Sequence, residues 1–399
     1  MPAPGISKRG LTTPPSPIRK LAPYADDAKA RNIKVYHLNI GQPDIPTPPE
    51  FFEAIHDYSL RVLAYNPSNG ISDLLDGLTD YYHHCGFQDI VPENILVATG
   101  GSEAVIFSMM AVTSPGDEII ILEPFYPNYN GFAHMSGVKL VPVETSPKNG
   151  YHCPPTEKIV EKITPRTKAI LICSPCNPTG AVMTREEMER IAGIALQNNL
   201  FVLSDEVYRE FTFEGTHTSV LDIPSIEKHA IMMDSLSKRY SACGARIGCV
   251  VSRNEEVMQT VLKFGQARLC PPTLEQIGAN AVIRTMDKYF SKMLEEYRSR
   301  RDTIYQQLTA VEGIVCEKPA GAFYLMVTFP VADIEDFARW LLCEYDLNGE
   351  TTMIAPGPGF YATQGRGKQE ARIAYVLNQE ELIKAVNVLR EGLNVYLNR

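Results

Sequence analysis

Six short apolar runs recur at residues 95–98, 118–122, 169–173, 201–204, 230–233 and 248–251, with longer amphipathic stretches between them. Strands this short and this uniformly apolar are buried on both faces, which a chain achieves by laying helices above and below a mainly parallel sheet. The expected architecture is α/β, with a three-layer αβα large domain. Thr184 followed three residues later by Glu187 spells a capping box, opening a crossover helix that ends near Gln197. After about residue 285 the pattern changes to a long charged helix, 286–310, then short strands and a final helix, 379–397. That predicts a second, smaller α+β domain. The opening 23 residues carry Pro2, Pro4, Pro14, Pro15, Pro17 and Pro23, which predicts an extended arm without regular helix, lying on another surface. The expected division is 1–45 (arm and part of the small domain), 46–285 (large domain) and 286–399 (small C-terminal domain). No repeat or Gly/Ser linker separates the units, so they are expected to pack tightly.

Composition narrows the function. The 399 residues are 44% hydrophobic and 21% charged, ordinary globular proportions, and the net charge of −9 is dispersed. Nucleic acid and anionic membrane are therefore poor partners. No apolar run approaches the ~18 residues that span a bilayer, and the Pro-rich start lacks a signal-like segment, so a cytoplasmic location is expected. Nine scattered cysteines suit reduced thiols. Cys173 and Cys176 spell CxxC without a second pair or a nearby histidine set, so packing is preferred over a metal site, and no metal is expected.

In open parallel sheets the carboxyl ends of the strands frame the ligand crevice. Here each end is polar. The first run leads into "TGGSEA", where Gly100 and Gly101 let the backbone approach a ligand and a helix begins near Ser102, an arrangement suited to an anion or to a plain tight turn. Then comes "EPFYPNY", whose Tyr126 either packs or lays its face on a flat ring. "SPCNPTG" offers the amide of Asn177, or simply makes a turn. Asp205 closes an apolar strand with Tyr208 three residues on; buried, it needs a cation, either an Arg or Lys or a protonated ring nitrogen. "SLSKRYSACGARIG", residues 235–248, is the most specific segment: Ser235, Ser237 and Arg246 suit a phosphate and Lys238 an amine nucleophile. A phosphate, a flat ring, a ring nitrogen and an aldehyde occur together in pyridoxal 5′-phosphate, whose needs these five strand ends meet. No GxGxxG or GxxxxGK[ST] occurs to favour a nucleotide.

These motifs, with "SDEVYRE" around Asp205 and "NPTG" at residues 177–180, resemble the class I/II aminotransferases of pyridoxal phosphate fold type I, in their aspartate aminotransferase-like branch. The resemblance spans nearly the whole chain. It implies that Lys238 carries the cofactor, with Asp205 and Tyr208 assisting catalysis. It also implies that Gly101, Ser102 and Glu103 lie by the phosphate, and that Tyr65 in "AYNPSNG" reaches the phosphate of the neighbouring subunit of a homodimer. Arg372, opening "RIAYVL", matches the arginine that clamps the substrate α-carboxylate, and "LNIGQPD" near Gly41 resembles the segment that closes over substrate.

Two departures stand out. "SPCNPTG" replaces the usual "NPxNPTG", leaving Asn177 in place. Ser102 stands where one subgroup of aspartate aminotransferases has a lysine that reads the side-chain carboxylate, and Arg268 in "QARLCPP", in the stretch that in relatives approaches the partner's active site, is the expected substitute. The implied reaction is ping-pong transfer from an amino acid, aspartate first among the donors, to a 2-oxo acid such as 2-oxoglutarate. Aromatic, alanine or other neutral donors are alternatives, as is a carbon–sulfur lyase or ring-forming synthase on the same fold. A ligand-sensing domain of a transcription regulator fits poorly, since the roughly forty Pro-rich residues before "LNIGQPD" suit no helix-turn-helix.

Overall fold

A computed structural model describes residues 4–59 and 61–399, apart from the side chains of residues 286–288. In chain order the strands are β1 (Lys34–His37), β2 (Ile95–Thr99), β3 (Glu118–Glu123), β4 (Lys139–Glu144), β5 (Thr167–Cys173), β6 (Phe201–Asp205), β7 (Ala230–Ser235), β8 (Ile247–Val251), β9 (Tyr324–Thr328), β10 (Glu350–Met353), β11 (Ala355–Pro356) and β12 (Glu370–Ala374). The large sheet runs β2-β8-β7-β6-β5-β3-β4. It is parallel except for β8, which is antiparallel to both β2 and β7. Because side chains alternate across a strand, each apolar run feeds two cores. Ile170, Val202 and Met232 enter the core on one face, and Leu171, Leu203 and Ile231 the core on the other. Burying each such side chain stabilises the sheet by about 1.5–3 kcal/mol, which is why the runs are unbroken.

The crossover helix Arg185–Gln197 opens as its sequence requires: Thr184 Oγ1 accepts from the Glu187 amide at 3.2 Å, and Glu187 Oε2 accepts from the Thr184 amide at 2.8 Å. The edge strand β4 escapes sequence reading because Pro142 interrupts it, and a proline is tolerated only where its missing amide faces no partner.

A second core gathers around the antiparallel sheet β11-β12-β9 and the parallel pair β1-β10. The helices Met286–Thr309, Ile334–Cys343 and Gln379–Leu397 cover them. Leu21, Ala25, Val35 and Leu38, from the start of the chain, pack into this core, as do Tyr208 and Phe211.

The arm corrects expectation. Prolines bar a helix only from passing through them, and the interval between Pro4 and Pro14 accommodates one: Lys8–Thr12, with Ser7 Oγ accepting from the Gly10 amide at 3.1 Å. A 3-10 turn, Pro17–Arg19, and a helix, Ala22–Ala30, follow, each with proline in its first turn, where the missing amide costs nothing. Pro2 lies outside the described residues. Among the described residues no helix is long and apolar enough to cross a membrane, no His/Cys/Asp/Glu group is arranged to hold a metal, and all nine cysteines are free.

Candidate active site

The carboxyl ends of β5, β6 and β7 and the start of the helix Gly100–Val112 open into a cavity of about 560 Å³. Gly101, Ser102, Tyr126, Asn177, Asp205, Tyr208, Ser235, Ser237, Lys238 and Arg246 line it, joined by Gly41 and Arg372 from the second core's side.

One wall is a cradle for an anion. Gly100 adopts a left-handed φ of +77°, and a Cβ there would stand 2.2 Å from Arg246 Nη2, so glycine is required for both conformation and space. A Cβ on Gly248 would stand 2.6 Å from the Gly101 nitrogen, which presses the helix start onto β8. Ser235 caps the turn that carries Lys238, accepting from the Ser237 amide at 3.2 Å, and the two hydroxyls lie 2.9 Å apart. Arg246 is fixed by donating from Nη1 to the Cys243 carbonyl at 2.9 Å. Free amides of a helix's first turn, two hydroxyls and a guanidinium together match a phosphate.

Asp205 ends β6 only 7% exposed. Tyr129 donates to its Oδ2 at 2.5 Å and the Val207 amide to its Oδ1 at 3.3 Å. Burial pushes its carboxyl up to about 6, helped by the negative Asp234 and Glu206 and opposed by those hydrogen bonds. No cation sits beside it among the described residues. Tyr126 meets Tyr129 edge-on at 5.5 Å, and its phenol, pushed up to about 12 by burial, accepts from Asn128 Nδ2 at 2.7 Å. Half-buried Lys238 donates from Nζ to the Gly41 carbonyl at 2.9 Å. A Cβ on Gly41 would fall 1.7 Å from the Tyr324 hydroxyl, so only glycine brings that carbonyl to the lysine.

Arg372, on β12, is 1% exposed. Its Nη1 donates to Asn177 Oδ1 at 2.9 Å and its Nη2 to the Asn39 carbonyl at 2.5 Å, while the guanidinium lies 4.4 Å from the centre of the Tyr324 ring. Its Nε has no partner, and no carboxylate pairs with it among the described residues. Burial lowers its affinity for the proton. A guanidinium so placed is costly until an anion arrives.

Three expected residues lie elsewhere. Tyr65 is 80% exposed and outside the cavity. Glu103 accepts from the Thr99 amide at 2.7 Å and pairs with Arg268 at 2.6 Å, so its carboxylate does not line the cavity. Arg268 lies outside this cavity, its nitrogens engaged by Glu103, Thr99 and the carbonyls of Ser68, Val97 and Leu269. Sequence reading missed Tyr129, although it stands in the "EPFYPNY" already singled out. It also missed Tyr324, whose hydroxyl meets that of Tyr208 at 2.9 Å, and the arm residues Ser16, Ile18 and Arg19, which line the cavity.

A three-layer α/β chain whose strand ends converge a lysine, a buried carboxylate and an anion cradle on one cavity is an enzyme for a small anionic ligand. The family model for aminotransferase class I and II matches residues 33–389, and the chain belongs to that family. It is 31% identical to an aspartate/prephenate aminotransferase of Thermus thermophilus over 96% of this chain and 97% of that one. Among solved structures, an alanine aminotransferase from Pyrococcus furiosus superposes with a TM-score of 0.89 at 29% identity, covering 98% of this chain and all of the other. An aspartate aminotransferase from Thermotoga maritima superposes with the same score at 28% identity and the same coverage. The protein is an aminotransferase.

Proposed function

We propose that the enzyme uses pyridoxal 5′-phosphate held on Lys238, takes its amino group from L-aspartate and passes it to a 2-oxo acid such as 2-oxoglutarate in a ping-pong cycle. One observation carries this reading: a single cavity holds a buried carboxylate lacking a cation, Asp205, and a buried guanidinium lacking an anion, Arg372. A protonated pyridine nitrogen answers the first and a substrate α-carboxylate the second. The Gly100–Arg246 cradle fits the phosphate. When bound, the cofactor supplies an electron-withdrawing ring that stabilises negative charge at the substrate α-carbon.

The chain's residues do the rest. Asp205 holds a proton on the ring nitrogen, and Tyr129 keeps that carboxylate in place. Tyr126 covers a ring face. Asn177, whose Oδ1 is occupied by Arg372, has its Nδ2 left to donate beside Tyr208 to a ring oxygen. Arg372 grips the α-carboxylate and so orients the bonds at the α-carbon. Lys238 Nζ, freed when the substrate amine takes its place, would take the proton from that carbon in the first half-reaction and deliver one to the carbon of the incoming 2-oxo acid in the second. Exposed Tyr65 supports the reading of a homodimer with shared sites, the two cores support division near residues 45 and 285, and the free cysteines support a cytoplasmic location. A neutral donor is the second reading, favoured by Ser102 at the cavity wall and by the likeness to the alanine enzyme.

The test is a half-reaction screen that follows bleaching of cofactor absorbance with each amino acid in turn. Aspartate and glutamate are expected to bleach it stoichiometrically, and inertness of both defeats the substrate assignment. Independently, Gly100→Ala is expected to displace Arg246 and weaken cofactor affinity at least about tenfold, the loss of one charge-assisted hydrogen bond; equilibrium dialysis measures it.

A further inference from the structure

We propose that Arg239 is a positioning residue: held by Asp234 and Glu210 beneath the turn Leu236–Arg239, it fixes which of two neighbouring cations, Lys238 or Arg239, faces the cofactor. The inference rests on the reading above that Lys238 carries pyridoxal 5′-phosphate. The two cations are adjacent on a single helical turn, where neighbouring side chains point about 100° apart. Their surroundings are opposite. Lys238 lines the cavity, whereas Arg239 is 1% exposed and does not line it. A helix of one turn has little stability of its own, so its rotation is set by what its side chains touch.

Arg239 touches a buried set of polar groups. Its Nη2 donates to Asp234 Oδ1, its Nε stands 3.4 Å from Glu210 Oε2, and its guanidinium lies 4.6 Å from the centre of the Tyr81 ring. Asp234 precedes Ser235 on β7, so strand alternation turns it away from the cavity that Ser235 lines. Its Oδ2 accepts from the Tyr82 hydroxyl at 2.9 Å and its Oδ1 from the Ser235 amide at 2.7 Å. Arg209 also pairs with Glu210, at 3.8 Å, so Asp234 is the carboxylate that depends on Arg239. The bond from residue 239 back to residue 234 closes the intervening stretch, with Ser235, Ser237 and Lys238, into a loop. Leu236 and Tyr240 pack into the core beneath, but apolar contacts have no preferred direction, while a guanidinium fork between two carboxylates does. Turning Arg239 into the cavity would leave buried Asp234 without its cation, a costly exchange.

The test sets pyridoxal 5′-phosphate, whose aldehyde condenses with an amine and loses water, against pyridoxamine 5′-phosphate, which has the same ring and phosphate but makes no such link. Full-length wild type, Arg239→Met, Arg239→Lys and the double variant Asp234→Asn/Arg239→Met are dialysed to equilibrium against graded concentrations of each. Borohydride reduction and mass analysis locate any adduct. Arg239→Met leaves Asp234 buried and unpaired and is the variant most exposed to misfolding; the double variant removes both charges and is expected to fold. Its preference for pyridoxal over pyridoxamine phosphate is expected to fall roughly tenfold or more, with pyridoxamine phosphate affinity little changed, and Arg239→Lys is expected to recover most of that preference. A general weakening of the fold would lower both affinities together. An unchanged preference in the double variant overturns the role of Arg239 and leaves Lys238 as the carrier. Failure of both Arg239→Met and the double variant to fold overturns it too, since the pair then serves folding and not orientation. If wild type shows no preference for pyridoxal phosphate and no adduct on Lys238, the cofactor reading falls and takes the inference with it.

Discussion

Lys238→Ala is expected to reduce transamination at least about a thousandfold, since on the proposed function it removes both the amine that would carry the cofactor and the base that would move the substrate proton. The side chain is half-buried in the cavity and reaches no acid; its ammonium rests on the Gly41 carbonyl at 2.9 Å. Alanine leaves that carbonyl facing the cavity, where water reaches it, so the fold is expected to survive. Borohydride reduction, digestion and mass analysis of the wild-type holoenzyme are expected to place a pyridoxyl adduct on the peptide containing Lys238. Normal turnover by Lys238→Ala, or an adduct on another lysine, refutes the assignment.

Asp205→Asn is expected to separate stability from function. Burial raises the Asp205 carboxyl from 3.8 to about 6. Below the lower value it is protonated in both folded and unfolded chains. As pH rises from there through about 6, the unfolded chain gives up its proton first, so this group's contribution to stability is progressively lost and stays lost at neutral pH. Asparagine avoids that cost. The cofactor-free variant should therefore be more stable than wild type at pH 7, by at most about 3 kcal/mol, with the difference vanishing by about pH 3. Denaturant unfolding of the cofactor-free proteins across pH reads this directly. Turnover should fall at least about a hundredfold, because the amide does not keep the ring nitrogen protonated. A destabilised cofactor-free variant at neutral pH contradicts the burial argument; an active one contradicts the catalytic role.

The large sheet was legible because strands buried on both faces leave unbroken apolar runs, and the residues that line the cavity follow those runs directly. Asp205, Lys238 and Tyr126 come from that logic, and Arg372 from family resemblance. What stayed hidden depends on contacts between distant segments. Tyr324 lies in a strand with nothing in its flanks to mark the hydroxyl. Arg268 and Arg19 carry the same side chain, yet one is consumed by Glu103, 165 residues away, and the other is not. No local pattern encodes which carboxylate an arginine meets. The arm was misread for a different reason: proline restricts the residues at and before it, so a short helix fits between prolines unseen.

The pairing of β1 with β10 joins residue 34 to residue 350. During synthesis, at about 5–20 residues per second, the opening segment waits roughly 16 to 63 seconds for its partner to be made. Until then Leu21, Val35 and Leu38 have only part of their core to enter, and the nascent chain shows an apolar, strand-forming stretch to the crowded surroundings of the ribosome. Holdase chaperones bind such stretches, and a message truncated before the last fifty codons yields a polypeptide whose beginning, rather than its end, is left unfinished.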